Sequence, residues 1–250
     1  MRIGVILGTR PEIIKMSPII RESEKRGIDY FTLHTGQHYS YEMDRVFFGG
    51  LELPQPDHNL EVGSGTHAFQ TGRIMAGIED VLEEEKPDVV LVQGDTNTVL
   101  AGALAASKMH IKVGHVEAGL RSFDRRMPEE INRVVADHIS DYLFAPTKTA
   151  RENLLAEGIG EEKISITGNT IVDSVYQNLE ISTRKVNPIK KLDLKEKGYF
   201  LATAHRAENV DDRARLKEIL KGFRLISEES SLPVIFPIHP RTRKRIEEFG

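Results

Sequence analysis

The feature that most constrains this chain is a rhythm. Short apolar runs, each closed by a glycine or an acid, alternate with stretches whose apolar residues recur at helical spacing. The run at 3–7 ends in Gly8, Val89-Val90-Leu91-Val92 leads into Gln93-Gly94-Asp95, and the run at 111–116 leads into Glu117. Between them, Ile74, Met75, Ile78, Val81 and Leu82 mark one face of a helix. Strands that alternate with helices imply a parallel sheet with right-handed crossovers. The spacing predicts strands at 2–7, 28–34, 88–93, 111–116, 141–145 and 163–167. It predicts helices at 11–26, 40–48, 66–85, 97–109, 128–140, 147–156 and 170–182. Pro18 should kink or interrupt the first helix. Gly27 and Gly158 are suitable helix stops.

The expected fold class is therefore α/β: a doubly wound parallel-sheet, Rossmann-like domain over 1–168. A connecting helix and a linker rich in Lys and Arg follow over 169–197. Residues 198–250 begin a second domain, with strands at 199–204 and 233–238 and helices at 210–229 and 241–249. Two strands and two helices bury little core alone, so this second Rossmann-like domain reads as incomplete.

A chain of 250 residues suits one large or two modest domains. Its net charge of −4 gives no nucleic-acid footprint. With no cysteine, thiolate nucleophiles, disulfides and cysteine–metal sites are excluded. There is no signal-peptide pattern and no apolar stretch near the roughly 20 residues that span a bilayer. A cytoplasmic protein with no membrane or nucleic-acid partner is expected.

Asp95 and Glu117 stand at the ends of successive strands, and Glu129 follows Pro128 at the start of a helix. Ligands of open α/β sheets bind outside the carboxyl ends of the strands, so these acids are placed for proton chemistry. Asp95 and Glu129 could equally cap or charge their helix N-termini. Glu117 has no such alternative, because Ala118-Gly119-Leu120 does not open a helix. In Gly8-Thr9-Arg10-Pro11-Glu12, Pro11 suits a first helical position. Arg10 and Lys15 beside that helix start make a candidate anion site, or a solvated turn. His205-Arg206 closes the first strand of the second domain and offers a second phosphate-binding group. There is no G-x-G-x-x-G, P-loop, G-x-S-x-G or H-E-x-x-H, so no nicotinamide, flavin or metal cofactor is implied.

Taken together these motifs resemble the non-hydrolysing UDP-N-acetylglucosamine 2-epimerase family. The matching pieces are Gly8 to Glu12 with Lys15, Gln93-Gly94-Asp95-Thr96, His115 to Arg121, Pro128-Glu129-Glu130, Asn132-Arg133, Gly168-Asn169-Thr170, His205-Arg206 with Glu208, and Pro237-Ile238-His239. They run in order through the whole chain, which resembles the N-terminal two thirds of family members. The resemblance implies a glycosyltransferase-B-like pair of Rossmann-like domains, the second binding nucleotide. It implies reversible epimerisation at C2 of UDP-GlcNAc to UDP-ManNAc, through elimination of UDP to 2-acetamidoglucal and re-addition, for surface glycan precursors. Asp95, Glu117 and Glu129 become the catalytic candidates. Arg10, Lys15 and His205 become the diphosphate candidates. Gln37, His38, Arg73, Arg206 and His239 match a bacterial activator site. No cofactor and no metal are needed, and a homodimer is expected. The uridine-binding segment of the family has no counterpart here, so an inactive nucleotide-binding fragment stays open. A UDP-sugar glycosyltransferase and a hydrolysing 2-epimerase stay open beside it.

Overall fold

The computed structural model describes residues 1–36, 41–185 and 187–250, with the backbone alone for 41–45. It divides into two compact units, Met1–Ile181 and Ser182–Gly250. The division falls inside the helix that the sequence places in the connection after residue 168.

The first unit runs β1 (Arg2–Leu7), α1 (Arg10–Arg26), β2 (Asp29–His34), α2 (Tyr41–Gly50), β3 (His58–Asn59), α3 (His67–Glu85) and β4 (Val89–Gln93). It continues with α4 (Asn97–Lys108), β5 (Lys112–Val116), α5 (Pro128–Ile139), β6 (Tyr142–Ala145), α6 (Lys148–Ala156), β7 (Ile164–Ile166) and the start of α7 (Thr170–Lys185). Its strands form one parallel sheet in the order β3-β2-β1-β4-β5-β6-β7. The order reverses between β1 and β4, which makes that junction the switch point where open α/β sheets bind ligands. Gly8 to Arg10 and Gly94 to Thr96 sit at its two sides.

Period-two alternation along β1 explains both layers. Ile3, Val5 and Leu7 pack with Ile13, Met16 and Ile20 of α1. Ile6 packs to the other face, with Ile74 and Ile78 of α3 and Val99 of α4. Each such fully buried side chain contributes roughly 1.5–3 kcal/mol. Small residues let α4 lie close: a Cβ on Gly102 would stand 3.1 Å from Val92 and 3.3 Å from Ile6.

Pro18 does not interrupt α1, which runs unbroken from Arg10 to Arg26. Proline has no N–H to give the carbonyl four residues back. That carbonyl, on Ile14, instead accepts from the Ser17 hydroxyl at 2.8 Å. Gly27 ends the helix as expected, in the left-handed conformation at φ 62°.

The second unit begins in the last turn of α7. It holds α8 (Pro188–Lys191), β8 (Phe200–Leu201), α9 (Ala207–Val210), α10 (Arg213–Ser230), β9 (Val234–Ile235) and α11 (Pro240–Phe249). β8 and β9 pair in parallel, two residues each. Both are much shorter than the six-residue runs at 199–204 and 233–238. Among its described residues, the fully buried apolar side chains are Val210 and Leu216.

Candidate active site

Glu117 leaves β5 in a left-handed conformation, φ 71°, which a residue with a side chain rarely adopts. Such strain persists only where the surroundings over-determine it. Here the amides of Glu117 and Ala118 both donate to the Phe144 carbonyl, at 3.1 and 3.2 Å. Gly119 follows at φ 80°. Its N–H donates to Asp137 at 3.1 Å, and its carbonyl accepts from Asn153 at 2.9 Å. The turn is therefore clamped on both sides of the acid.

Lys15, one turn into α1, brings its Nζ 2.8 Å from Oε1 and 2.7 Å from Oε2 of Glu117. Gln93, at the end of β4, donates to Oε2 at 3.2 Å. A diphosphate candidate and an acid candidate are thus one pair. The three elements around the switch point, α1, β4 and β5, all reach the Glu117 carboxylate. Arg10 opens α1 and stacks its guanidinium over Phe47, 5.5 Å from the ring centroid.

Asp95 is not the cap of α4. Thr96 holds that place, its hydroxyl accepting from the Val99 amide at 3.4 Å. The Asp95 carboxylate pairs instead with Arg133 of α5. Its carbonyl accepts from Asn132 at 2.9 Å. In the first turn of α5 two adjacent glutamates divide the work. Buried Glu130 accepts from the amides of Ser122 and Phe123, both at 2.9 Å, and from the Ser122 hydroxyl. The Glu129 side chain is half-buried, and its carboxylate makes no hydrogen bond or ion pair among the described residues.

Two buried carboxylates escaped the sequence reading as functional groups. Glu12 is 1% exposed. It accepts from the Gly8 amide at 3.0 Å and from the Thr96 hydroxyl at 2.8 Å, joining the turns after β1 and β4. Burial pushes its carboxyl up to about 7, against the hydrogen bonds that favour the anion. Asp137, fully buried on α5, contacts His115 and Arg121 at 2.7 Å each. Arg121 forms a second, bidentate pair with Glu157 at 2.6 and 2.7 Å. The signal for both was a charge inside an apolar pattern, which reads as easily as a solvated helix turn.

The activator candidates fall on both units. Arg73 is exposed on α3, its guanidinium 5.8 Å from the Phe69 ring. Arg206 and His239 belong to the second unit, with the diphosphate candidate His205. There the rings of His205 and His239 lie 5.6 Å apart, and His239 caps α11 by accepting from the Arg241 amide at 3.2 Å. Arg206 sits at the start of α9, 3.9 Å from Glu208. Gln37 and His38 lie outside the described residues. Among the described residues no group of three His, Cys, Asp or Glu is arranged to hold a metal, and no helix is long and apolar enough to cross a membrane.

A doubly wound sheet with carboxylates and cations gathered at its switch point is the arrangement of a ligand-binding α/β enzyme. Its family is specific: the chain belongs to the UDP-N-acetylglucosamine 2-epimerase family, whose model matches residues 21–250. The UDP-N-acetylglucosamine 2-epimerase of Methanocaldococcus jannaschii is 60% identical to it, over 100% of this chain and 69% of the relative. The crystal structure of a Methanocaldococcus jannaschii UDP-GlcNAc 2-epimerase in complex with UDP-GlcNAc and UDP superposes with a TM-score of 0.82 at 60% identity, covering 100% of this chain and 69% of that one. A Pseudomonas aeruginosa relative, 46% identical over 100% of this chain and 70% of its own length, is a UDP-2,3-diacetamido-2,3-dideoxy-D-glucuronate 2-epimerase.

Proposed function

We propose that this protein interconverts UDP-N-acetylglucosamine and UDP-N-acetylmannosamine. The observation that carries the reading is Glu117: a strained strand-end carboxylate at the switch point, held by Lys15 and Gln93, in a family of UDP-sugar 2-epimerases. C2 of the sugar is not next to a carbonyl, so its hydrogen is not acidic enough for simple removal and return. Elimination solves this. A base takes the C2 proton, the C–H pair becomes the C1=C2 bond of 2-acetamidoglucal, and the C1–O bond breaks with its electrons leaving on UDP. Re-addition of UDP at C1 with a proton delivered to the other face of C2 gives the epimer.

Such a route needs an acid, a base and cations facing the leaving diphosphate. Asp95, Glu117 and Glu129 supply the acid and base groups. Arg10, Lys15 and His205 are the diphosphate-binding groups. Lys15 contacts both oxygens of Glu117 through an ammonium with three N–H groups, one of which can serve an anion. Gln37, His38, Arg73, Arg206 and His239 stand as the activator set. The protein acts as a homodimer in the cytoplasm, supplying precursors of surface glycans.

Proton NMR of UDP-GlcNAc incubated with the protein in D2O tests this reading. Deuterium at C2 of both sugars and the appearance of UDP-ManNAc are the expected result. Free ManNAc would instead show a hydrolysing epimerase, and no exchange at C2 would refute the proposal. Glu117→Gln should abolish the conversion while UDP binding, followed by calorimetry, persists. Near wild-type turnover in that variant would remove Glu117 from the chemistry.

A further inference from the structure

His115 is 0% exposed, in the middle of the apolar run that forms β5. Its Nδ1 lies 2.7 Å from Asp137 Oδ1 and its Nε2 lies 2.8 Å from the Gly94 carbonyl. A carbonyl oxygen only accepts. Asp137 Oδ2 already takes the N–H of Gly119 and an N–H of Arg121, at 3.1 and 2.7 Å. Burial works against the Asp137 anion, but the Arg121 guanidinium and the two N–H groups on Oδ2 favour it, so Oδ1 faces Nδ1 as an acceptor. Both ring nitrogens of His115 therefore face acceptors. A neutral imidazole has one N–H and would set a lone pair against a lone pair at the other contact. The geometry requires a proton on both.

The two acceptors belong to different turns. Gly94, at φ 88°, immediately precedes Asp95. Asp137 holds the amide of Gly119, two residues beyond Glu117, in a turn where Glu117 and Gly119 are both left-handed. Buried ion pairs are weak evidence for stability, because apolar replacements of similar volume are often neutral or better. What this one does is geometric: it ties the strand-end turn of β4 to that of β5.

We propose that His115, protonated on both ring nitrogens and clamped between the Gly94 carbonyl and Asp137, is a positioning residue that sets the spacing between Asp95 and Glu117. The proposal rests on the epimerase reading for its kinetic consequence but not for its geometry. The charges around it close locally: His115 and Arg121 against Asp137 and Glu157, with His138 3.3 Å from Glu157 at the rim.

The test uses 15N-labelled histidine, His115→Gln, His115→Leu and Asp137→Asn in the complete protein. In the wild type, the resonances that vanish in His115→Gln should show two nitrogens, each with a directly bonded proton. A bare nitrogen in that pair would overturn the protonation on which the proposal stands. In the folded variants kcat should fall about 100-fold, the scale expected for roughly 1 Å of misplacement. KM and UDP affinity should stay within about threefold. Variants that fold, bind UDP and keep kcat within about threefold would refute the positioning role. A raised KM at unchanged kcat would refute it too, by making His115 a binding residue. If His115→Leu fails to fold, Asp137→Asn and His115→Gln carry the same comparison. If the wild type proves not to epimerise, crystal structures of the variants still decide the geometric claim: Asp95 and Glu117 must move apart or together, and unchanged turns would sink it.

Discussion

Glu12→Gln should flatten the dependence of stability on pH. The unfolded chain releases this proton near the ordinary 4.5, whereas the folded protein holds it to about 7. Between those values the folded state binds more protons, so stability falls as pH rises and the full penalty of the buried anion is present above 7. At 1.36 kcal/mol per pH unit the whole effect is ~3.4 kcal/mol. Between pH 5 and pH 8 the two titration curves leave ~2.5 kcal/mol of it. Glutamine has no proton to lose. Its poorer match to two donors, the Gly8 amide and the Thr96 hydroxyl, adds an offset that is the same at both pH values. Urea unfolding at pH 5 and pH 8, followed by circular dichroism, should therefore show the wild type losing ~2.5 kcal/mol more than the variant across that interval. All other titrating groups cancel in the comparison. Two curves that fall in parallel would refute the assignment of the proton to Glu12.

Arg10→Ala should weaken UDP binding by roughly 1.5–3 kcal/mol, the worth of one charge-assisted contact; unchanged affinity in calorimetry would remove Arg10 from the diphosphate site. Gly119→Ala should cost at least ~2 kcal/mol in urea unfolding, from left-handed backbone in a residue with a side chain plus a steric clash. Its Cβ would sit 2.3 Å from the Ala150 carbonyl oxygen, so wild-type stability would contradict the described turn. Amide hydrogen exchange should run faster after about residue 198 than in β1, β4 and β5, because so little apolar surface is buried there. Equal protection in the two units would refute this expectation.

The first unit was legible because its signals were long and mutually consistent. α3 runs from His67 to Glu85, within a residue of its amphipathic pattern, and the strands at the sheet centre follow their apolar runs. β3 was invisible because two residues, His58 and Asn59, pair at a sheet edge with no apolar period to announce them. In the second unit the apolar runs were strand-like, but a strand is made by its partners: β8 and β9 have only each other and pair over two residues. The position of Glu117 at a strand end was readable from the apolar run before it and from a following stretch that does not open a helix. That Lys15 would meet Glu117 was not, because the pair joins residues 102 apart through the parallel register of β1, β4 and β5. His115 and Asp137 hid for another reason. A sequence shows a charged residue in an apolar pattern, but only packing shows whether its partners make it a solvated exception or a clamp.

Residues 17 and 18 in α1 are bound by more than adjacency. The Ser17 hydroxyl serves a carbonyl that Pro18 orphans, and the same oxygen accepts from Arg21 at 3.2 Å. Arg21 in turn reaches the Leu51 carbonyl and Gln177 of α7. Removing the serine alone strands an acceptor. Removing the proline alone gives that acceptor a backbone donor and sets the hydroxyl free to leave Arg21. Neither change is neutral by itself, and the two together restore an ordinary helix that no longer presents an oxygen to Arg21. Substitutions at the two positions should therefore be inherited as a pair, a coupling that a scan of single mutants would record as two unrelated sensitivities.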